Sequence, residues 1–149
     1  MKVRDVMKSD VHTIPSTATY EEAARILYDH RIGGAPVVDA EGRLVGLVSE
    51  KDFFRVLYPY ERSFYTDPEA YLDLEERETK VNDIRHHAVQ TFMAKDVVTI
   101  TPDAPIMQAG GLMLAKQVHR LPVMDEGKLV GVVTRGMIYR AILKQKLGW

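Results

Sequence analysis

Apolar and polar positions along this chain follow a pattern that is written twice. Met7, Asp10, Val11, Thr13 and Ile14 recur as Met93, Asp96, Val97, Thr99 and Ile100, an offset of 86 residues. The register holds through Ala23 and Ala109, Ile26 and Leu112, and Pro36-Val37 and Pro122-Val123. One residue is then dropped at a turn, so that Gly42 matches Gly127 and Gly46 matches Gly131 at an offset of 85. Self-similarity over this span marks two copies of one structural unit.

Each copy predicts the same elements. A short extended piece (His12-Thr13-Ile14; Val98-Thr99-Ile100) enters a proline-containing turn, and a helix follows. Thr19 and Glu22 have capping-box spacing ahead of the stripe Ala23, Ile26 and Leu27. In the second copy Asp103 and Pro105 are the start signal for the stripe Ile106, Ala109 and Met113. Strands at 36–38 and 44–48, and at 122–124 and 129–133, pair across the glycine turn as hairpins. A closing helix begins at Ser49 or Thr134. The repeat is thus β-α-β-β-α, too small to cover its sheet well alone, which predicts an α+β protein whose two sheets pack face to face about a pseudo-twofold axis. The boundaries read as 1–57 for the first repeat, 58–88 for an insertion and 89–149 for the second repeat.

The insertion reads as helical and aromatic. Tyr58, Tyr60, Phe64, Tyr65 and Tyr71 crowd its first half, and Asp67-Pro68-Glu69 is a helix start. Tyr71, Leu74, Val81, Ile84 and Ala88 fall near one helical face, with Asp73–Arg77 and Glu76–Lys80 as solvated pairs. The aromatics fit packing or dimer contact better than base stacking.

Composition narrows the chemistry. A formal net charge of −1 gives no bulk attraction to nucleic acid or an anionic membrane. No cysteine is present, so disulfides and thiolate nucleophiles or metal ligands are excluded. The first fifteen residues lack a signal-peptide core, and no run reaches the ~18 apolar residues of a membrane span. A soluble cytoplasmic protein is the expectation. No Ser–His–acid set, carboxylate pair or Walker-type glycine loop stands out, so no enzyme is expected. Asp83 and His87, with His86 beside them, would be two metal ligands at i,i+4 helical spacing without a third placed by sequence, and no metal site is expected.

The repeats differ where each closing helix begins. Ser49-Glu50-Lys51-Asp52 places a hydroxyl and a carboxylate at one helix end. Two acceptor oxygens suit vicinal ribose hydroxyls, and free N–H groups suit a phosphate; the same spacing also reads as a plain helix cap. The second copy keeps Thr134 but has Met137 where Asp52 stands. His119-Arg120 occupies the place of Gly33-Gly34 and reads as a phosphate contact or as a solvated turn. Gly33 and Gly34 themselves fit a helix C-cap and turn.

The ordered set VM…D-V-x-T-I-x-P…G-A-P-V-V-D…G-x-L-V-G-L-V-S-x-x-D, present twice, resembles the cystathionine-β-synthase (CBS) domain family, whose paired repeats form a Bateman module. The second copy, VHRLPVMDEGKLVGVVT, also resembles the γ subunit of AMP-activated protein kinase. The resemblance implies a non-catalytic regulatory module that binds AMP, ADP, ATP or S-adenosylmethionine between repeats, with no obligatory cofactor, as a homodimer of CBS pairs. It gives Asp52 the ribose, Ser49 the phosphate side, and His119, Arg120 and Thr134 the second copy's share. Thr13, Ile14 and Pro15 with Ala35, Pro36 and Val37 then line the adenine. Met137 implies one weakened cleft. The rival readings are a ligand-free dimerisation or protein-interaction module, and a disfavoured nucleic-acid regulator.

Overall fold

The computed structural model describes residues 1–58 and 78–149. The readings at Tyr60–Tyr71, Leu74, Asp73–Arg77 and Glu76 lie outside those residues. The chain divides into two compact units: Met1–Val11 with Asp96–Trp149 (unit 1), and His12–Lys95 (unit 2).

Unit 2 contains β1 (Ile14–Pro15), α1 (Tyr20–His30), β2 (Gly34–Val38), β3 (Leu44–Ser49), α2 (Glu50–Leu57) and α3 (Val81–Ile84). Its sheet runs β1-β2-β3, with β1 parallel and β3 antiparallel to β2. The expected capping box starts α1: Glu22 Oε2 accepts from Thr19 N–H at 2.8 Å, and Thr19 Oγ1 accepts from Glu22 N–H at 3.3 Å. The hairpin reverses at Gly42, whose φ of +79° is open to glycine at little steric cost. Ile14, Ala23, Ala35, Val37 and Val48 are fully buried in one core, joined by the Tyr20, Phe53 and Phe92 rings. Burial raises the Tyr20 hydroxyl above its ordinary pKa.

Unit 1 repeats the plan with α4 (Ile106–Lys116), β4 (Arg120–Asp125), β5 (Lys128–Thr134) and α5 (Arg135–Leu147). Val3, Ala109, Leu121, Val123 and Val133 are fully buried in its core. The first strand expected over 98–100 shrinks to one parallel bridge, Ile100 to Val123. Only Ile100 is paired, through its N–H to Pro122 O and its carbonyl to Met124 N–H.

The units do not coincide with the repeats, because the two leader segments are exchanged. Val3 N–H donates to Ala104 O, and Lys8 exchanges a pair of 2.9 Å backbone bonds with Val132. Eighty-six residues on, Val89 N–H donates to Ala18 O, and Ala94 exchanges the same pair with Leu47. Each leader therefore completes the unit built from the other repeat. Burying Val3 or Val89, both fully inaccessible, contributes about 1.5–3 kcal/mol to holding it there.

Three local expectations are corrected. Ala88 is not on a helical face: α3 ends at Ile84, and the Arg85 and His87 carbonyls instead accept from the first N–H groups of α1, Glu21 and Tyr20. These carbonyls satisfy donors that a helix start leaves open. For the same reason Asp83 and His87 do not share a helix. The cap of α1 is Arg31, at φ +52°, rather than Gly33 or Gly34, neither of which adopts a positive φ.

Asp103 does not cap α4, whose cap is Pro105; it binds the leader through Lys2 Nζ at 2.9 Å and Arg4 Nη2 at 2.6 Å. Those partners, the Lys2 hydrogen bond foremost, lower its pKa. A carboxylate with a depressed folded pKa stabilises above its unfolded value, about 3.9, and loses that stabilisation as pH falls through the folded value. Asp103→Asn is therefore expected to shrink the fall in Tm on acidification below about pH 4 and to lower Tm slightly at neutral pH.

Candidate functional site

In each unit the start of the closing helix is held against the start of the hairpin's first strand. In unit 2, β2 pairs with β3 so that Gly34 faces Ser49, Ala35 faces Val48 and Pro36 faces Leu47. Glu50 N–H donates to Gly33 O at 3.0 Å, which locks the first turn of α2 onto the start of β2. β1 lies on the other side of β2, with Ile14 level with Val37 and Pro15 with Val38. Ser49 and the first turn of α2 thus lie beside Gly34 at the start of β2, while Ile14 and Pro15 lie beside Val37 and Val38 at its other end. The Ile14, Ala35 and Val37 side chains belong to the core, so only backbone is left at those positions for a ligand edge.

Asp52 is half-buried and does two jobs with two oxygens. Oδ2 accepts from Ser49 N–H at 2.8 Å and from Ser49 Oγ–H at 3.1 Å, which caps α2. Oδ1 accepts no hydrogen bond among the described residues. A carboxylate with one oxygen tied to its helix and the other open is fixed in direction before a ligand arrives. That lowers the entropy cost of binding a hydroxyl.

Unit 1 builds the same corner with different chemistry. Arg120 faces Thr134 across β4 and β5, and Arg135 N–H donates to His119 O at 2.9 Å, as Glu50 does to Gly33 O. Here the hydroxyl turns inward: Thr134 Oγ1 accepts from Met137 N–H at 3.3 Å. The corner holds an exposed His119 and a half-buried Arg120 but no carboxylate at the Met137 position. It offers cationic donors without a diol acceptor.

One neighbour had no sequence signal. His12, directly before Thr13, stacks on His30 at the end of α1 with ring centroids 3.6 Å apart and planes 14° from parallel. The two residues lie on different elements, so neither period nor spacing links them. Among the described residues no three metal-ligating side chains gather, and no helix is long and apolar enough to cross a membrane.

Comparison with known proteins matches the CBS domain to residues 3–59 and 89–144. An uncharacterised protein of Methanocaldococcus jannaschii is 30% identical over 96% of this chain and 92% of its own length. CBSX1, a chloroplastic CBS domain-containing protein of Arabidopsis thaliana, is 34% identical over 93% of this chain, which spans 62% of it. The crystal structure of CBSX2 in complex with AMP superposes with a TM-score of 0.73, at 26% identity, over 97% of this chain and 98% of that one. The twofold match across both repeats, with the α+β units that carry it, means that this chain belongs to the CBS-domain family as a tandem CBS pair.

Proposed function

We propose that this chain is a non-catalytic regulatory module that binds an adenosine-containing ligand, works as a homodimer of CBS pairs, and acts in the cytoplasm. The observation that carries the reading is the Asp52 carboxylate, oriented by Ser49 through one oxygen and open at the other. That oxygen suits a ribose hydroxyl, and the CBSX2 pair, similar over nearly its whole length, was crystallised with AMP. The Ser49 end of α2 offers the phosphate side, and backbone from Thr13 to Pro15 and Ala35 to Val37 supplies the adenine edge. In unit 1, His119, Arg120 and Thr134 favour an anionic group, while Met137 makes that corner a poor ribose site. One ligand per chain is expected at Asp52.

Regulation would follow from linkage: a ligand that prefers one conformation shifts the population toward it. The test is a thermal-shift panel of adenosine, AMP, ADP, ATP and S-adenosylmethionine. A ligand at 100 times its Kd adds about 2.7 kcal/mol, which for a chain of this size raises Tm by about 5–10 °C. A flat panel would favour the ligand-free dimerisation module.

A further inference from the structure

The exchanged leaders carry a methionine at the same place. Met7 and Met93 each lie four residues after a fully buried valine, Val3 or Val89. Each is half-buried and packs against the core of the unit it joins. In unit 2 the Met93 sulfur fills the notch that Gly46 leaves in β3, 2.5 Å from where a Cβ would stand. In unit 1 the Met7 sulfur fills the notch at Gly131 of β5, at 2.7 Å from the corresponding point. The next residue of each leader makes its backbone pair, Ala94 with Leu47 and Lys8 with Val132. Thioether and backbone pair are thus neighbouring holds of one leader on one strand.

A thioether reacts with a peroxide without first losing a proton, and the chain has no cysteine to take the oxidant before it. A sulfur lone pair attacks one oxygen of hydrogen peroxide. The S–O bond forms as the O–O bond breaks, and the second oxygen leaves as water with the shed proton. Sulfur loses the two electrons that the peroxide gains. The product is a sulfoxide, whose polar oxygen needs a donor or water. Each notch is bordered instead by an acceptor, the Ala94 or Lys8 carbonyl oxygen, 3.0 and 3.1 Å from the same points. The N–H groups of Ala94 and Leu47 already donate to each other's carbonyls, as do those of Lys8 and Val132. A sulfoxide must therefore break that pair or swing out to water and empty the notch. Either way the leader is held less firmly.

We propose that Met7 and Met93 are peroxide-sensitive modification sites, and that their oxidation to the sulfoxide loosens each leader from the unit it completes. Both repeats carry the device, one sulfur to each unit. The leader pairs at Leu47 and Val132 lie two residues before Ser49 and Thr134, so the loosening falls on the strands that carry the candidate-site hydroxyls. Reduction of the sulfoxide reverses it. No bound ligand enters the argument, which stands or falls apart from the adenosine reading.

The test titrates hydrogen peroxide against the natural chain and against a chain carrying Met7→Leu and Met93→Leu, substitutions that keep volume and apolar character but cannot be oxidised. Peptide mass spectrometry reads each methionine, and melting curves read stability. Sulfoxide at Met7 and Met93 is expected to lower the natural Tm by about 5 °C or more. The leucine variant, its five other methionines intact, should hold its own Tm under the same peroxide. Methionine sulfoxide reductases of both stereochemical types should restore the natural chain. An equal loss of Tm in the leucine variant would place the lesion elsewhere and overturn the proposal. So would conversion of the exposed Met1 and Met107 while Met7 and Met93 resist. A second measurement needs no variant and decides the matter if the leucines impair folding. Amide exchange at Lys8, Val132, Leu47 and Ala94 in the oxidised natural chain should rise about tenfold or more. Full sulfoxide at both sites with unchanged exchange and Tm would show that the leaders tolerate it, and would equally overturn the proposal.

Discussion

Asp52→Ala is expected to remove most of the thermal response to AMP. The open Oδ1 is a charged acceptor, and hydrogen bonds to charged groups contribute about 1.5–3 kcal/mol each. Losing one or two of them weakens binding by about 100-fold. At an AMP concentration that shifts the natural chain by about 5–10 °C, the variant should shift by about 1 °C. Removing the carboxylate also removes the α2 cap, because Oδ2 accepts from Ser49 N–H. The unliganded variant should therefore melt a few degrees lower, in line with a cap worth about 1 kcal/mol. Asp52→Asn separates the two roles: its amide oxygen can still cap α2 while the charge is gone. The asparagine variant should keep the unliganded Tm and still lose most of the AMP shift. An alanine variant that responds to AMP like the natural chain would show that Asp52 only caps its helix.

The second large effect is on stability, at the glycine in the middle of each hairpin's second strand. A Cβ on Gly46 would lie 2.5 Å from Met93 Sδ and 3.0 Å from the Ala94 carbonyl oxygen. The methionine can swing away. The carbonyl cannot, because it accepts from Leu47 N–H at 2.9 Å and so holds the exchanged leader to β3. Overpacking of this kind costs about 1–3 kcal/mol, so Gly46→Ala should lower Tm by about 3–10 °C. Gly131→Ala should do the same in unit 1, where the neighbours are Met7 Sδ at 2.7 Å and Lys8 O at 3.1 Å. The control is Gly110→Ala within α4, which meets nothing within 4 Å and should stabilise by up to about 1 kcal/mol. Melting curves of the three variants decide it; equal effects at all three would remove the close-approach argument.

Much of this was legible in the residues, for reasons that differ from element to element. Thr19 with Glu22, Ser49 with Asp52, and the turn glycines announce themselves because each is a local rule that needs no knowledge of the rest of the chain. The N-caps of both closing helices, Ser49 and Thr134, fall where that reasoning puts them. The exchanged leaders could not be read this way. Val3 and Val89, and Met7 and Met93, are the same residues in the same spacing, so nothing local says which repeat each one joins. The end of α1 has no clear local signal, because Arg31 takes a left-handed conformation while better-suited glycines stand two and three residues on. The end of α3 has no local signal, because the carbonyls just beyond it, of Arg85 and His87, are claimed by a helix start more than sixty residues away in sequence. For the candidate site, the residue types were visible but the division of labour within Asp52 was not, since only coordinates tell one carboxylate oxygen from the other.

The leader exchange also means that neither half of the polypeptide is self-sufficient. During synthesis, Val3 and Lys8 leave the ribosome long before Ala104 and Val132, their hydrogen-bonding partners, have been made. A backbone break between Tyr58 and Glu78 would yield two fragments that each hold part of both units: the first supplies the Val3 leader to unit 1, and the second supplies Val89 to Ala94 to unit 2. The pieces would remain laced together without a covalent bond, and a nicked chain would have to be denatured before it came apart.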